Sequence, residues 1–327
     1  MKTQTSIVLV TWNSRKHIKN CLESIENQTC KGSEIIVVDN NSRDGVLEYI
    51  QKSHPNVKII QNKENLGFCK ASNQGIHASQ GEFILILNPD VFPEPDFLGE
   101  LVRFLSGNPH YGSVGGKLFL LRDGKKSNRI DSTGLFLRRD LRAKDRGNLQ
   151  EEQGRYNKES SVFAVCGAAV LFRREALERS KVEGEYFDEN FFAYYDDLDL
   201  GWRIQLSGYE NGYTPNARAY HIRGGSGAEA KFFRKSYDMQ KITLRNRYLM
   251  LIKNLSLANL FYFFPFFFLS ELMLLTYIFV RSPRLFTVYI DVGKNLTTYR
   301  KKRAIVQSLR TKSTKEIRNW IKRAQFL

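Results

Sequence analysis

Apolar runs and amphipathic stretches alternate along the first hundred residues. Ser6 to Thr11 is an unbroken, β-branched-rich run, the pattern of a strand buried on both faces. Ser14 to Asn27 changes to helical spacing, with Ile18, Leu22 and Ile25 on one face. Glu34 to Asp39 predicts a second buried strand, residues 44–52 a helix, and Val57 to Gln61 a third strand. Residues 68–79 read as a helix and Phe83 to Leu87 as a fourth strand. Strands alternating with helices predict an α/β fold with a Rossmann-like, mainly parallel sheet and flanking helices. The segment from about 122 to 160 lacks sustained periodicity and reads as a long loop, a lid or part of a substrate site. Pattern resumes at Val162 to Phe172. A helix is expected over Asp196 to Ser207, short strands near Gly212 and Ala219, and a basic helix over 231–253.

Leu255 to Val280 then runs for 26 residues with one charge, Glu271. A helix of about 20 apolar residues can cross a bilayer. Pro265 would break or kink it, and Glu271 would be costly at mid-bilayer unless paired. Two short helices dipping into one leaflet fit at least as well as a span, and a buried hairpin or oligomer interface is the alternative.

Charge sharpens that picture. The chain has 327 residues and a formal charge of +16. Residues 1–227 hold 30 basic and 29 acidic groups; residues 228–327 hold 20 and 5. A nearly neutral body is thus joined to a strongly basic C-terminal region. From Arg281 onward there are 13 basic and 2 acidic residues, including the run Arg300-Lys301-Lys302-Arg303. A polybasic segment beside an apolar one points to the cytoplasmic face and to anionic inner-leaflet lipid. Nucleic acid is permitted by charge alone, but no nucleic-acid motif accompanies it, so it is not expected as a partner. Four cysteines without zinc spacing read as free thiols in a reducing compartment. The apolar run Ile7 to Val10 is too short for a signal-peptide core, so the body is expected in the cytosol.

In a parallel sheet, ligands sit beyond the carboxyl ends of the strands. That rule selects Thr11-Trp12-Asn13, Asp39-Asn40-Asn41 and Asn88-Pro89-Asp90. Asp90 there can hold Mg²⁺ or Mn²⁺ on a diphosphate, since these ions take oxygen ligands and share their shell with phosphates; the bland alternative is a turn Asp. Asp39 can accept from a base N–H or a ribose hydroxyl, or simply form an Asx-turn. Asp196-Asp197-Leu198-Asp199 places three carboxylates in four positions. Helix capping accounts for one of them, not all three, and a carboxylate at a crevice edge can serve as general base. His221 closes a strand before Gly224-Gly225, where a loop could close over phosphate. Asn65-Leu66-Gly67-Phe68 and Asn73-Gln74-Gly75 bracket a helix start, where amides favour phosphate.

Taken together, VTWNS, VVDNNSRDG, NLGFCKASNQG, LNPD, CGAAVLFRREA, FDENFFAYYDDLDLGWRIQLSGY and AYHIRGGS, in that order over residues 5–227, resemble the inverting family-2 glycosyltransferases of GT-A fold, in particular their rhamnosyltransferase-like branch. The resemblance implies a catalytic domain at 1–227, its donor half at 1–120 and acceptor half at 121–227; the apolar segment and the basic tail after it predict a helical membrane-associating region at 228–327. It implies that Thr11, Trp12, Asn13, Asp39 and Asn41 serve the nucleotide, and that Asn65, Gly67, Lys70 and Asn88 lie near ribose or diphosphate. Asp90 and His221 would hold the metal, Asp197 would be the base, and Asp196 would shape the acceptor pocket. Trp202 and Arg203 would wall the sugar site. The chain departs from the family's DXD pattern in having Asn88 at the first position, and it has Asp196 where the family often has Glu.

The implied activity is metal-dependent, inverting transfer of a sugar, rhamnose first, from a dTDP- or UDP-sugar to a glycan acceptor on polyprenyl diphosphate, in bacterial cell-surface polysaccharide synthesis. Galactofuranose, glucose or an N-acetylhexosamine are the alternative sugars, an inactive sugar-nucleotide-binding membrane scaffold is the alternative role, and a homo-oligomer is left open.

Overall fold

The computed structural model describes residues 4–122, 124–223 and 232–323. The glycine loop after Arg223 and the last residues of the basic tail lie outside these. The first half contains β1 (Thr5–Thr11), α1 (Arg15–Glu26), β2 (Glu34–Asp39), α2 (Val46–Ser53), β3 (Lys58–Gln61), α3 (Phe68–Ala78), β4 (Phe83–Leu87), β5 (Val91–Pro93) and α4 (Phe97–Gly107). Then follow β6 (Tyr111–Arg122), β7 (Lys125–Ser132), β8 (Leu135–Leu137), β9 (Ala143–Asp145), β10 (Ser160–Val162), β11 (Ala169–Arg173), α5 (Arg174–Arg179), α6 (Asp196–Leu206) and β12 (Glu210–His221). Four helices finish the chain: α7 (Tyr237–Asn254), α8 (Leu257–Arg281), α9 (Thr287–Ser308) and α10 (Thr314–Arg323).

The main sheet runs β10-β12-β6-β11-β4-β1-β2-β3. Strands β3, β2, β1 and β4 are parallel, as are β6 and β12, while β11 enters antiparallel between β4 and β6. This is the expected mixed α/β architecture. Its unbroken apolar strands follow from burial on both faces. In β4, Phe83, Leu85 and Leu87 face the core under α1, α2 and α4, and Ile84 and Ile86 face the core shared with α3 and α6.

Three expectations are corrected. Residues 122–160 are not one loop: β7 pairs with β6, and β8 pairs with β9. Ile130 and Leu135 to Leu137 are buried there. β7 is polar at every position but Ile130, and β8 and β9 have three residues each, so none of them carries a legible strand period. The two short strands near Gly212 and Ala219 are one strand, β12, interrupted by a register shift between Tyr213 and Arg218. Leu257–Arg281 is a single helix that contains Pro265, not two short ones. Pro265 removes one backbone hydrogen bond from α8, and the helix continues through it, packed along one side by Phe263, Leu274 and Ile278.

The C-terminal helices share the body's core. Leu249 and Met250 of α7, Phe263 of α8, Tyr299 and Val306 of α9, and Ile317 and Ile321 of α10 belong to the same apolar cluster as Trp202 and Phe163.

Candidate active site

The carboxyl ends of β1, β2 and β4 open onto a cavity of about 930 Å³. Topology assembles its floor. β5 follows Asn88-Pro89-Asp90 directly and pairs with the end of β12, His221 opposite Val91. The Ile222 amide donates to the Asp90 carbonyl at 2.9 Å. That register sets His221 Nε2 3.5 Å from Asp90 Oδ1. On the other side of β12, β6 carries β7, whose Asp131 is fully buried and accepts from His221 Nδ1 at 2.8 Å. Arg223 pairs with Asp131 and, at 2.9 Å, with Asp145. Burial by itself would lower the His221 pKa, but the hydrogen bonds to Asp131 and Asp90 outweigh it and raise it to about 9.

The second wall comes from the turn into α6. Tyr194 and Tyr195 are both left-handed, at φ 69° and 67°, which costs a non-glycine residue of order 1–3 kcal/mol each. The turn is held from outside. Asn246 of α7, completely buried, donates to the Ala193 carbonyl at 2.8 Å and to the Tyr194 carbonyl at 3.0 Å. Asp196 and Asp197 follow immediately, and both line the cavity. Asp197 Oδ2 accepts from the Gly167 amide at 3.0 Å and Oδ1 from the Leu198 amide at 2.8 Å. One lone pair on each oxygen is left for a ligand. A Cβ at position 167 would lie 3.1 Å from that of Asp197, a tight contact that would require Asp197 to give by a few tenths of an ångström. Burial is the main cause that raises both carboxyls. Asp197 is pushed up to about 6, with Asp145 adding to the rise, and Asp196, beside Asp197, to about 8.

The third carboxylate of the cluster does something different. Asp199 is buried and pairs with Arg203 and Lys253, each at 3.0 Å, and accepts from Asn254 at 2.8 Å. Arg203 also donates to the Ser180 and Tyr186 carbonyls, and Trp202 packs edge-on to Phe163, fully buried. Trp202 and Arg203 therefore do not wall a sugar site. Their helix face points into the core.

Trp12, Asn13, Asn65, Gly67, Asn88 and Asp90 meet on the cavity wall. Trp12 is 57% exposed, an unencumbered ring at the mouth. Asn65 Oδ1 accepts from the Gly67 amide at 2.9 Å. Gly67, at φ 84°, packs against Phe192, where a Cβ would come within 2.7 Å. The first amide of α3, Phe68, is occupied by the Phe192 carbonyl at 2.8 Å. Thr11, Asp39, Asn41 and Lys70 lie off that wall. Asp39 is enclosed and accepts from Thr11 at 2.8 Å and from the Ser42 amide at 2.9 Å, which ties the loops after β1 and β2 together. Asn41 takes a left-handed turn, φ 60°. Lys70 points to Glu189 at 3.8 Å.

Asp131, Asp145, Arg223 and Gly167 were missed by sequence reasoning. Arg223 and Gly167 lay inside quoted motifs and could have been singled out. Asp131 and Asp145 lay in the segment read as loop, with no signal of their own.

Asp90 and His221 fit a divalent cation shared with a diphosphate. They offer one oxygen and one nitrogen side by side, and the imidazole's far nitrogen is fixed by a carboxylate, the usual support for a ligating histidine. Among the described residues no group of three or more His, Cys, Asp or Glu forms a complete cage. The protein side would thus supply a partial shell.

The model of the family described as "Glycosyl transferase family 2" matches residues 6–180. The chain belongs to glycosyl transferase family 2. It is a glycosyltransferase of glycan or polysaccharide biosynthesis. It is similar to an N-acetylglucosaminyl-diphospho-decaprenol L-rhamnosyltransferase of Mycobacterium tuberculosis, 27% identical over 248 residues, covering 67% of this chain and 76% of the relative. Among solved structures it resembles GalNAc-T7 with UDP, GalNAc and Mn²⁺, at TM-score 0.60 and 16% identity, covering 76% of this chain and 48% of that one. It also resembles the mannosyltransferase PcManGT from Pyrobaculum calidifontis with GDP-Man and Mn²⁺, at TM-score 0.55 and 20% identity, covering 94% and 84%. The fold is GT-A-like.

Proposed function

We propose that this glycosyltransferase transfers a sugar, rhamnose first, from a dTDP- or UDP-sugar to a glycan carried on polyprenyl diphosphate, with inversion at the anomeric carbon. The observation that carries it is one cavity holding both Asp197 and the Asp90–His221 pair. The mycobacterial relative's name supports the sugar and the lipid-linked acceptor. The Mn²⁺ in both structural neighbours supports a divalent ion.

In this reading residues 1–120 bind the donor, 121–227 the acceptor, and the helices after 227 close the site and meet the membrane. Trp12 and Asn13 lie where the nucleotide would stack, with Thr11, Asp39 and Asn41 shaping the loops beneath. Asn65, Gly67, Lys70 and Asn88 are assigned to the ribose and diphosphate side. Asp90 and His221 would hold Mg²⁺ or Mn²⁺, which neutralises charge on a leaving diphosphate. Asp197 takes the proton from the acceptor hydroxyl. That oxygen bonds to the anomeric carbon as the bond to the phosphate oxygen breaks, and the nucleoside diphosphate leaves with the electron pair. Asp196 shapes the acceptor pocket.

Membrane placement rests on α8. It is long and apolar enough to cross a bilayer by length and composition. Only a narrow stripe, Phe263, Ser270, Leu274 and Ile278 among it, is buried against the body. Phe261, Phe268, Leu272 and Phe279 are exposed on the remainder. Glu271 is paired with Arg247 at 2.6 Å, so the one acidic group faces protein rather than lipid. A helix glued to the body along one side and bare on the other fits insertion from one face, the cytoplasmic one. The test is transfer of labelled sugar from dTDP-rhamnose and UDP-sugars to N-acetylglucosaminyl-diphospho-polyprenol, with and without Mn²⁺. No transfer from any of these donors refutes the reading.

A further inference from the structure

The C-terminal helices contribute to the cavity. Leu244 of α7 and Leu274 of α8 line it, and Leu274 belongs to the helix whose outer face is bare and apolar. Four cations line the cavity: Arg142, Arg223, Lys235 and Arg247. Two of them are neutralised. Arg223 is paired with Asp131 and Asp145, and Arg247 with Glu271. The other two have no carboxylate partner among the described residues. Arg142 donates only to the Ser270 carbonyl of α8, at 3.2 Å. Lys235 lies over the Tyr194 ring, 4.8 Å from its centre. Lys235 thus sits on the turn that precedes Asp197, and Arg142 acts on Tyr195 of that turn electrostatically. Thr243, on the same wall, has a buried hydroxyl with no hydrogen-bond partner among the described residues.

We infer that Lys235 and Arg142, with the Thr243 hydroxyl, form a subsite for the diphosphate of a polyprenyl-diphosphate acceptor, whose hydrocarbon leaves over Leu244 and Leu274 toward α8. Uncompensated cations beside an unpartnered hydroxyl are what an anion with several acceptor oxygens requires. Burial, with Arg223 nearby, lowers the Lys235 pKa. One cavity thus holds the Asp197 carboxylate, two cations without a carboxylate partner among the described residues, and apolar side chains of α7 and α8, which are the three chemistries that the glycan, diphosphate and prenyl chain of such an acceptor call for. The inference rests on the lipid-linked acceptor reading above and assigns residues that reading leaves unassigned.

Diphosphate also occurs in the donor, and the test separates the two. Full-length protein in detergent is titrated by calorimetry with farnesyl diphosphate and with farnesol, the donor side being saturated with UDP and Mn²⁺. UDP affinity is measured separately. Lys235→Met and Arg142→Met should each cut the preference for farnesyl diphosphate over farnesol by about 10-fold or more, and the charge-keeping Lys235→Arg by less than about 3-fold. An unchanged preference in both Met variants overturns the subsite. An equal loss of UDP affinity in both also overturns it, because the cations would then serve the donor. A protein that binds farnesyl diphosphate through these residues yet transfers to no polyprenyl-linked glycan would refute the acceptor reading and leave the subsite standing.

Discussion

At the residue scale, the two adjacent carboxylates of α6 separate by environment. Asp197 must be ionised to accept a proton, so kcat should rise with pH along an acid limb near 6, above the ordinary carboxylate range. Asp197→Asn should lower kcat by about 10²-fold to 10⁴-fold, with UDP affinity kept. Steady-state kinetics with calorimetry check this, and a near-normal rate would remove Asp197 as the base. Asp196 makes a stability prediction. Its folded pKa is raised, so between the usual carboxylate value and about 8 the folded state holds more protons than the unfolded chain. Stability attributable to Asp196 therefore falls as pH rises through that window. Asp196→Asn should raise the melting temperature at pH 8 and change it little near pH 4, while acceptor turnover drops. An identical shift at both pH values would contradict this.

At the scale of elements, the catalytic turn is only as good as its external clamp. Two consecutive left-handed tyrosines are held by one side chain of another helix, Asn246. Asn246→Ala should lower kcat with a smaller change in donor KM, and destabilise by about 1–3 kcal/mol, because two buried carbonyls lose their donor. Denaturant unfolding and steady-state kinetics read the two effects separately. The clamp explains what pattern reading could and could not see. The helix beginning at Asp196 was legible from its spacing. The need for α7 to hold its entry was not, because Asn246 stands 50 positions away in sequence and carries no local signature. β7 was illegible for a related reason: its Asp131 reaches His221 of β12 because β7 pairs with β6, the neighbour of β12, not through its neighbours in sequence.

At the scale of the whole molecule, the basic C-terminal region does two things. Lys253 and Lys302 are buried and meet Asp188 at 2.5 and 2.7 Å; Lys302 also reaches Glu185 and Lys253 reaches Asp199. Burial would raise the Asp188 carboxyl, but these two ammonium groups outweigh it and hold it below its ordinary range. Arg303 donates to the Ile252 and Leu255 carbonyls. So the run Arg300 to Arg303 is not a uniform lipid-facing patch: Arg300 and Lys301 are exposed, and the other two are structural. Lys302→Met should destabilise by about 3–5 kcal/mol, since it removes one of the two ammonium groups on buried Asp188, and the one on Glu185, and leaves the buried cluster one positive charge short. Replacing Phe261, Phe268 and Phe279 with Ser should instead abolish flotation with anionic vesicles and leave the melting temperature within a few degrees. Retained flotation would exclude this face as the membrane contact. The sequence by itself determined the strand–helix alternation, the family motifs and the apolar segment, because each is written in local periodicity or in short contiguous runs. Only the tertiary structure decided that the apolar segment is one helix and which two of the three clustered aspartates face the cavity. It also decided which basic residues are locked inside and which carboxylate orients His221, because those choices depend on strand register and helix packing between distant parts of the chain.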